Sequence, residues 1–344
     1  MPLNWTTQSR TTANPGRAPL TSRTTGEPSP NLTTRTIDRR TFSALLAGTT
    51  AAGLLVRPQL GWASASNTID LGNDISVTTI TDGYLTLPAT FPAPDVEAAA
   101  RQAAMAAAGQ TGDTYKSPIN VTLIQTPTEK ILVDSGSGAH FMATAGQLTA
   151  NMEADGIDRE AITKVIYTHA HPDHIWGTYD EFDELTFPNA TFHISEAEHA
   201  YWADPGTLDA LPEARKTFAI GAKRNIDSLG EQLQRHQPGD DIVSGITLVD
   251  TAGHTPGHVS VLVSAGNKTF MVLGDALNHP VISFQHPTWH PNSDHIKDQA
   301  VQTRLKLLDR LVSDEVDFSG YHLPSGGMGR AARKADAFVF EPLT

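Results

Sequence analysis

Four side chains of metal-ligating type fall within six residues in the stretch Thr168-His169-Ala170-His171-Pro172-Asp173-His174, directly after the apolar run 162–167. Imidazole and carboxylate together are the ligand chemistry of a divalent cation, and a carboxylate beside such a centre can also move a proton. In extended chain, residues two apart face the same side, so His169 and His171 project together. Pro172 biases His171 toward extended backbone and can itself open a helix, which puts Asp173 and His174 in a first turn. Two ligand pairs offset in this way suit two ions better than one. A histidine-rich surface loop is the plainer alternative, but the pattern arises by chance only about once in a thousand chains of this length. More ligand candidates follow other apolar runs. Thr251-Ala252-Gly253-His254-Thr255-Pro256-Gly257-His258 comes after 246–249, Gly274-Asp275 after 269–273, and Tyr321-His322 after 316–320.

Taken together, His-x-His-x-Asp-His, a distant His, an Asp and a last His resemble the metallo-β-lactamase superfamily over roughly residues 70 to 340. The resemblance implies a four-layer α/β/β/α sandwich with the metals at one edge. It also implies that His169, His171 and His254 hold one ion, that Asp173, His174 and His322 hold the other, and that Asp275 lies between them. His258 becomes a supporting residue, and Asp134, after the run 130–133, a support from the second shell. Two divalent ions follow as cofactors. Zinc is the expected metal, although manganese, iron or cobalt could use the same ligands.

The segment 275–295 carries further histidines at 279, 286, 290 and 295. With the helix expected over 296–312 and Gly320-Tyr321-His322-Leu323-Pro324, it resembles the methyl-parathion-hydrolase-like and lactonase-like branch. Many lactonases have two glycines shortly after the first motif, whereas here Trp176 stands at the first of them. Trp176, either a pocket aromatic or core, His279 and Phe284 are the candidate pocket residues. The activity expected is hydrolysis of an ester-like bond (lactone, aryl ester or phosphotriester) in a small molecule. A metal-bridging hydroxide attacks, and Asp173 takes up or returns a proton. The alternatives are β-lactam hydrolysis and a redox di-iron protein of the same fold. The second typically has Glu where this chain has His171.

The elements that must position these residues are also legible. The run 75–81, the dipeptide Asp82-Gly83 and the run 84–87 read as a hairpin. An alanine-dense helix is expected over 97–108, strands over 120–124 and 130–133, and a helix over 141–154 closed by Gly156. A short strand is expected over 190–194. Ser195 and Glu198 after it form a capping box, and helical patches with glycine breaks over 205–236 form a cap over the site.

The 344 residues are 39% hydrophobic and contain no cysteine, so no disulfide or thiolate chemistry is available. Residues 1–38 are rich in Thr, Pro, Arg and Ser and read as disordered. Arg39-Arg40 with Phe42, the mildly apolar run 43–56 and Ala63-Ser64-Ala65 resemble a twin-arginine export signal, with residues 66–344 as the catalytic domain. The expected destination is a bacterial periplasm or the exterior, reached through the twin-arginine machinery. No stretch of the mature part is long and apolar enough to span a membrane. Residues 66–344 hold 18 basic and 36 acidic side chains, a net charge near −18 that repels nucleic acid. Oligomeric state is not legible.

Overall fold

The computed structural model describes residues 66–343; the leader and twin-arginine-type segment assigned to residues 1–65 lie outside the described residues. The first half runs β1 (Asn67–Gly72), β2 (Ile75–Pro88), α1 (Ala98–Ala107), β3 (Thr114–Gln125), β4 (Lys130–Val133), α2 (Leu148–Ala154), β5 (Lys164–Ile166) and α3 (Pro172–Ile175). It continues with β6 (Thr191–Ser195), α4 (Glu196–Ala203), α5 (Pro205–Ala210), α6 (Lys216–Leu229) and β7 (Leu233–His236). The second half runs β8 (Asp241–Val243), β9 (Ile246–Asp250), β10 (Val259–Ala265), β11 (Lys268–Val272), α7 (Ile282–Gln285), α8 (Lys297–Ser313), β12 (Asp317–Ser319), β13 (Met328–Lys334) and β14 (Ala337–Pro342).

Each half forms one seven-stranded sheet, in the orders β1-β2-β3-β4-β5-β6-β7 and β14-β13-β12-β11-β10-β9-β8. Alternation along the strands decides the layering, because successive side chains point to opposite faces. Ile131 and Val133 of β4 join Val259, Val261 and Val263 of β10 in a core between the sheets. Leu132, between them in sequence, packs instead under Met152, Trp202, Ala222 and Ile226 of the helices on the outer face. In the second sheet Phe270 and Val272 face inward, while Met271 meets Leu307, Leu308 and Leu311 of α8. The result is the expected α/β/β/α sandwich.

Three local expectations are corrected. Asp82-Gly83 is not a hairpin turn, because β2 runs through it and pairs with β3 on both sides of a register shift between Thr81 and Gly83. The turn signal is overridden by burial. Asp82 turns inward and accepts from Ser137 N (2.8 Å), Ser137 Oγ (2.6 Å), Gly146 N (3.2 Å) and Leu148 N (2.8 Å). Gly83, at φ +103°, lets the backbone pass Thr144, whose carbonyl a Cβ would meet at 2.1 Å. The same Asp82 bonds shorten the helix expected over 141–154 to α2, since the backbone N–H groups of Gly146 and Leu148 turn to the carboxylate rather than to a preceding helical turn. Finally, of the glycine breaks expected over 205–236, Gly230 ends α6 at φ +51°, but α6 runs unbroken through Gly221, and a further break falls at Leu211-Pro212.

Among the described residues, no helix is long and apolar enough to cross a membrane.

Candidate metal centre

Strands β4, β5 and β6 are parallel, so their C-terminal ends share one edge. Asp134 follows β4, the His169–His174 stretch follows β5, and Glu198 lies in the first turn after β6. From the second sheet, His254 follows β9, Asp275 follows β11 and His322 follows β12, β11 and β12 again being parallel. His171 caps α3 in extended backbone (φ −68°, ψ 158°), with Pro172 at its first position. Asp173 and His174 therefore come off the first turn, beside the two strand-end imidazoles.

The structure brings all seven expected ligands together. His169 Nε2 and His254 Nε2 lie 2.9 and 3.0 Å from His171 Nδ1. Asp173 Oδ2 lies 3.3 Å from His322 Nε2 and 3.7 Å from His174 Nε2. Asp275 stands between the two sets, 3.3 Å from His254 Nε2, 3.3 Å from His174 Nε2 and 3.4 Å from His322 Nε2. His169, His174 and Asp275 form a further close group, so the triads are continuous.

The nitrogen that each imidazole turns away from the cluster has its own partner. His169 Nδ1 meets Thr168 Oγ1 (3.1 Å), His174 Nδ1 meets Asp134 (2.8 Å), His254 Nδ1 meets Asp294 (3.1 Å), and His322 Nδ1 meets the Pro118 carbonyl (2.7 Å). Carboxylate and carbonyl partners can only accept, so the outer nitrogens of His174, His254 and His322 carry the protons and their Nε2 lone pairs point inward. His174 Nε2, Asp173 Oδ2 and Asp275 Oδ1 are buried without a hydrogen bond. Orphaned buried acceptors are costly, and converging imidazole and carboxylate donors of this kind fit divalent metal ions.

Within the cluster the protein's own charges are paired, carboxylate against imidazole. Burial and the neighbouring imidazoles hold His169 and His171 well below the ordinary histidine range. Burial also disfavours charge on His174 and His322, yet Asp134, Asp173 and Asp275 lift His174 to about 10, and Asp275 and Asp173 lift His322 well above its usual value. Burial would raise Asp173 and Asp275, but His174 and His322 hold both below the carboxylate range. Asp134 supports His174 as expected, at φ +68°, with Thr168 N donating to it at 2.7 Å. His258 is a support by its bonds: Asp275 N donates to its Nε2 at 3.0 Å, which leaves Nδ1–H for Thr251 Oγ1 at 2.9 Å.

Three further supports have little local signature in the sequence. Glu198 keeps only half of the capping box: its N–H goes to Ser195, but its carboxylate turns into the core. There it accepts from Ala170 N (3.0 Å), Trp202 Nε1 (2.6 Å), Thr255 Oγ1 (2.6 Å) and Gly257 N (3.0 Å). Gly257 permits this approach, since a Cβ would lie 2.0 Å from Glu198 N. Asp294 orients His254 and is itself gripped by Arg304 Nη1 at 2.9 Å. His295, one of the loop histidines, bridges His171 Nε2 (3.0 Å) and the Tyr201 hydroxyl (2.8 Å). Only the histidine cluster in 275–295 gave any signal for these.

A cavity of about 300 Å³ opens above His171, Asp173, Asp275 and His322, with apolar walls that include Leu85, Phe91, Phe141 and Phe218. None of the three expected pocket residues lines it. Trp176 lies behind Phe141, edge-on at 5.5 Å, and packs into the helical core. His279 is used up by structure, its Nδ1 accepting from Val281 N and Ile282 N, and its Nε2 meeting Gln110 at 3.0 Å. Phe284 is in the core under α8. Apolar and imidazole side chains next to a ligand in sequence point wherever the packing around them has room, which spacing does not reveal.

Known proteins are similar to this chain in fold and in part of its sequence. A solved structure described as AidC, a dizinc quorum-quenching lactonase in complex with a product, is 28% identical with a TM-score of 0.77, covering 82% of this chain and 98% of that one. A hydrolase named AbOPH, described as in the β-lactamase superfamily, is 24% identical with a TM-score of 0.74, covering 81% of this chain and 97% of that one. Among sequences, a probable metallo-hydrolase of Mycobacterium bovis is 28% identical over 186 residues, 46% of this chain; the match spans only 57% of that protein's length. An uncharacterized protein of Bacillus subtilis, YobT, is 26% identical over 230 residues, 63% of this chain and 91% of its own. The family model described as the metallo-beta-lactamase superfamily matches residues 114–316, a span that holds every expected ligand except His322, and the chain belongs to that superfamily.

Proposed function

We propose that this metal-dependent hydrolase cleaves an ester-like bond, in a lactone, aryl ester or phosphotriester, of a small molecule bound over two divalent ions held by His169, His171, His254, Asp173, His174, His322 and Asp275. The observation that carries the reading is the set of inward-facing imidazole nitrogens and orphaned carboxylate oxygens on the floor of a largely apolar cavity. The likeness to a protein described as a dizinc lactonase supports zinc and a lactone first. Divalent ions bound there would polarise the substrate oxygen and lower the pKa of water from about 16 to about 7.

The chain's own residues do the rest. Asp173 lines the cavity, and its backbone carbonyl accepts from the Tyr321 hydroxyl at 2.6 Å, which fixes the turn that carries it. Held below the usual carboxylate range, it is ionised at neutral pH and can take a proton from the attacking water and return it to the leaving oxygen. The apolar walls strip water from the acyl or aryl part of the substrate. The test is a panel of lactones, aryl esters, aryl phosphotriesters and β-lactams given to the metal-loaded protein, with elemental analysis of the same sample. About two metals per chain and turnover of one of the first three classes is the expected result. Full activity with a single metal, or turnover of β-lactams alone, contradicts the reading.

Export to the periplasm or exterior belongs to the same proposal and rests on Arg39-Arg40 and the apolar run after them. Changing both to Lys is expected to trap the precursor in the cytoplasm; unchanged export of that variant refutes it.

A further inference from the structure

The cavity carries one Lys or Arg among its lining residues. Arg215 ends a short 3-10 turn, Glu213–Arg215, just before α6, and is partly buried. The same cavity is lined by apolar side chains, among them Phe141, Met142 and Phe218. The side chain makes no hydrogen bond or ion pair with any described residue. Arg304 shows what a structural arginine looks like in this fold: it is buried and bonded to Asp294 and to the carbonyls of Pro287 and Trp289.

A guanidinium offers five N–H donors in a planar fork, and removing it from water without an acceptor is unfavourable. Burial pushes Arg215 below the ordinary arginine range, with Tyr201 and Asp294 acting the other way. Acidic partners are plentiful, since residues 66–344 hold twice as many acids as bases. A cation that nevertheless faces an apolar cavity is placed for something that enters the cavity. A neutral carbonyl would not need it, because Ser117, Asn278 and Asn292 line the same space and can donate without the cost of a buried charge. The planar fork matches a carboxylate through two parallel hydrogen bonds.

We infer that the substrate of this site carries a second, anionic group, a carboxylate, which Arg215 binds at the cavity wall while the bond to be cleaved lies over the floor. The inference rests on the proposed hydrolase reading for the location of the reacting bond, and it makes Arg215 the specificity-determining residue of the pocket. Half-esters of dicarboxylic acids, and lactones that bear a carboxylate, are then preferred over neutral esters of the same size.

The experiment reads binding rather than turnover, so that its failure is separate from failure of the hydrolase reading. Straight-chain monocarboxylates and α,ω-dicarboxylates of matched length are titrated calorimetrically into the metal-loaded protein, its Arg215→Gln variant and its Arg215→Lys variant. In the wild type one length of dicarboxylate should bind about tenfold or more tighter than its monocarboxylate, as expected for a charge-assisted bidentate pair. Arg215→Gln should bring the ratio to about one, and Arg215→Lys should keep part of it. No preference at any length in the wild type overturns the inference without any variant having to fold. A preference that survives Arg215→Gln in a variant of unchanged thermal stability overturns it too. A protein that prefers dicarboxylates yet hydrolyses nothing in the panel leaves this inference standing and refutes the hydrolase reading alone.

Discussion

Removing the Glu198 carboxylate is expected to damage the fold and the metal site together. It takes two donors on each oxygen, from Ala170 and Trp202 on one side and from Thr255 and Gly257 on the other. Ala170 sits between His169 and His171, and Thr255 follows His254, so one buried side chain ties both loops whose imidazoles converge at about 3 Å. In Glu198→Ala, three N–H groups and one hydroxyl lose their acceptor in the core. At about 1–3 kcal/mol for each unsatisfied buried donor, with the hydroxyl relieved by rotation, the loss is about 3–9 kcal/mol, a large part of a typical domain's stability. Glu198→Gln separates charge from shape. With its oxygen toward Ala170 and Trp202, its amide N–H₂ faces Thr255, which can turn to accept, and the Gly257 N–H, which cannot. One conflict instead of four lost acceptors predicts a cost of about 1–3 kcal/mol. Denaturant unfolding measures both. Titration with zinc against a chelator should show affinity at the His169, His171 and His254 set falling about 10- to 100-fold in Glu198→Gln, the usual range for losing an outer-shell support. A Glu198→Ala protein with wild-type stability and wild-type metal affinity would refute the reasoning.

Asp173→Asn keeps shape and one oxygen but removes charge and proton acceptance. Hydrolytic activity should fall about a hundredfold or more even in excess metal, and less for substrates with acidic leaving groups. Full recovery on adding metal would make Asp173 a ligand only. His193, on β6 against His236 of β7 at 3.0 Å, is pushed down to about 4 by burial and then by that neighbour. Its folded value lies below the unfolded 6.5, so the unfolded chain binds the proton first. The stability it contributes is complete above pH 6.5 and is lost as the pH falls toward 4. The drop in Tm between pH 7.5 and pH 5 should therefore be smaller in His193→Gln than in the wild type; an equal or larger drop contradicts this.

What could be read in the sequence follows from how far apart the interacting residues are. The expected ligands are legible because each sits one to a few residues beyond an apolar run, and strand ends are where α/β architecture gathers such groups. Their supports are not legible. Glu198 meets Ala170 across 28 positions, and His295 meets His171 across 124. Nothing local distinguishes either residue from a surface acid or a loop histidine. Asp82-Gly83 fails for a related reason: a turn dipeptide is a preference of about a kilocalorie, while four hydrogen bonds into a buried carboxylate decide the matter from residues 137–148. Ser195 caps its helix as its position implies, but the reciprocal role expected of Glu198 loses to stronger donors in the core.

The same distances explain why the cluster holds its shape. Its seven members come from two sheets that pack mainly through apolar side chains, a non-directional contact that fixes no register to a few tenths of an ångström. Directional bonds across the join supply the register. Val259 N donates to the Thr168 carbonyl at 3.0 Å, tying the second sheet to the residue just before His169. Asn120 of β3 donates through its side-chain amide to Tyr321 O and Leu323 O, both at 2.9 Å, on either side of His322. Tyr321 completes the link, its hydroxyl on the Asp173 carbonyl and its ring stacked on His174 at 3.8 Å. Asn120, Tyr321 and Glu198 thus set where ligands from opposite halves of the chain meet, so an arriving cation meets donors already aligned and does not have to bring the two sheets into register itself.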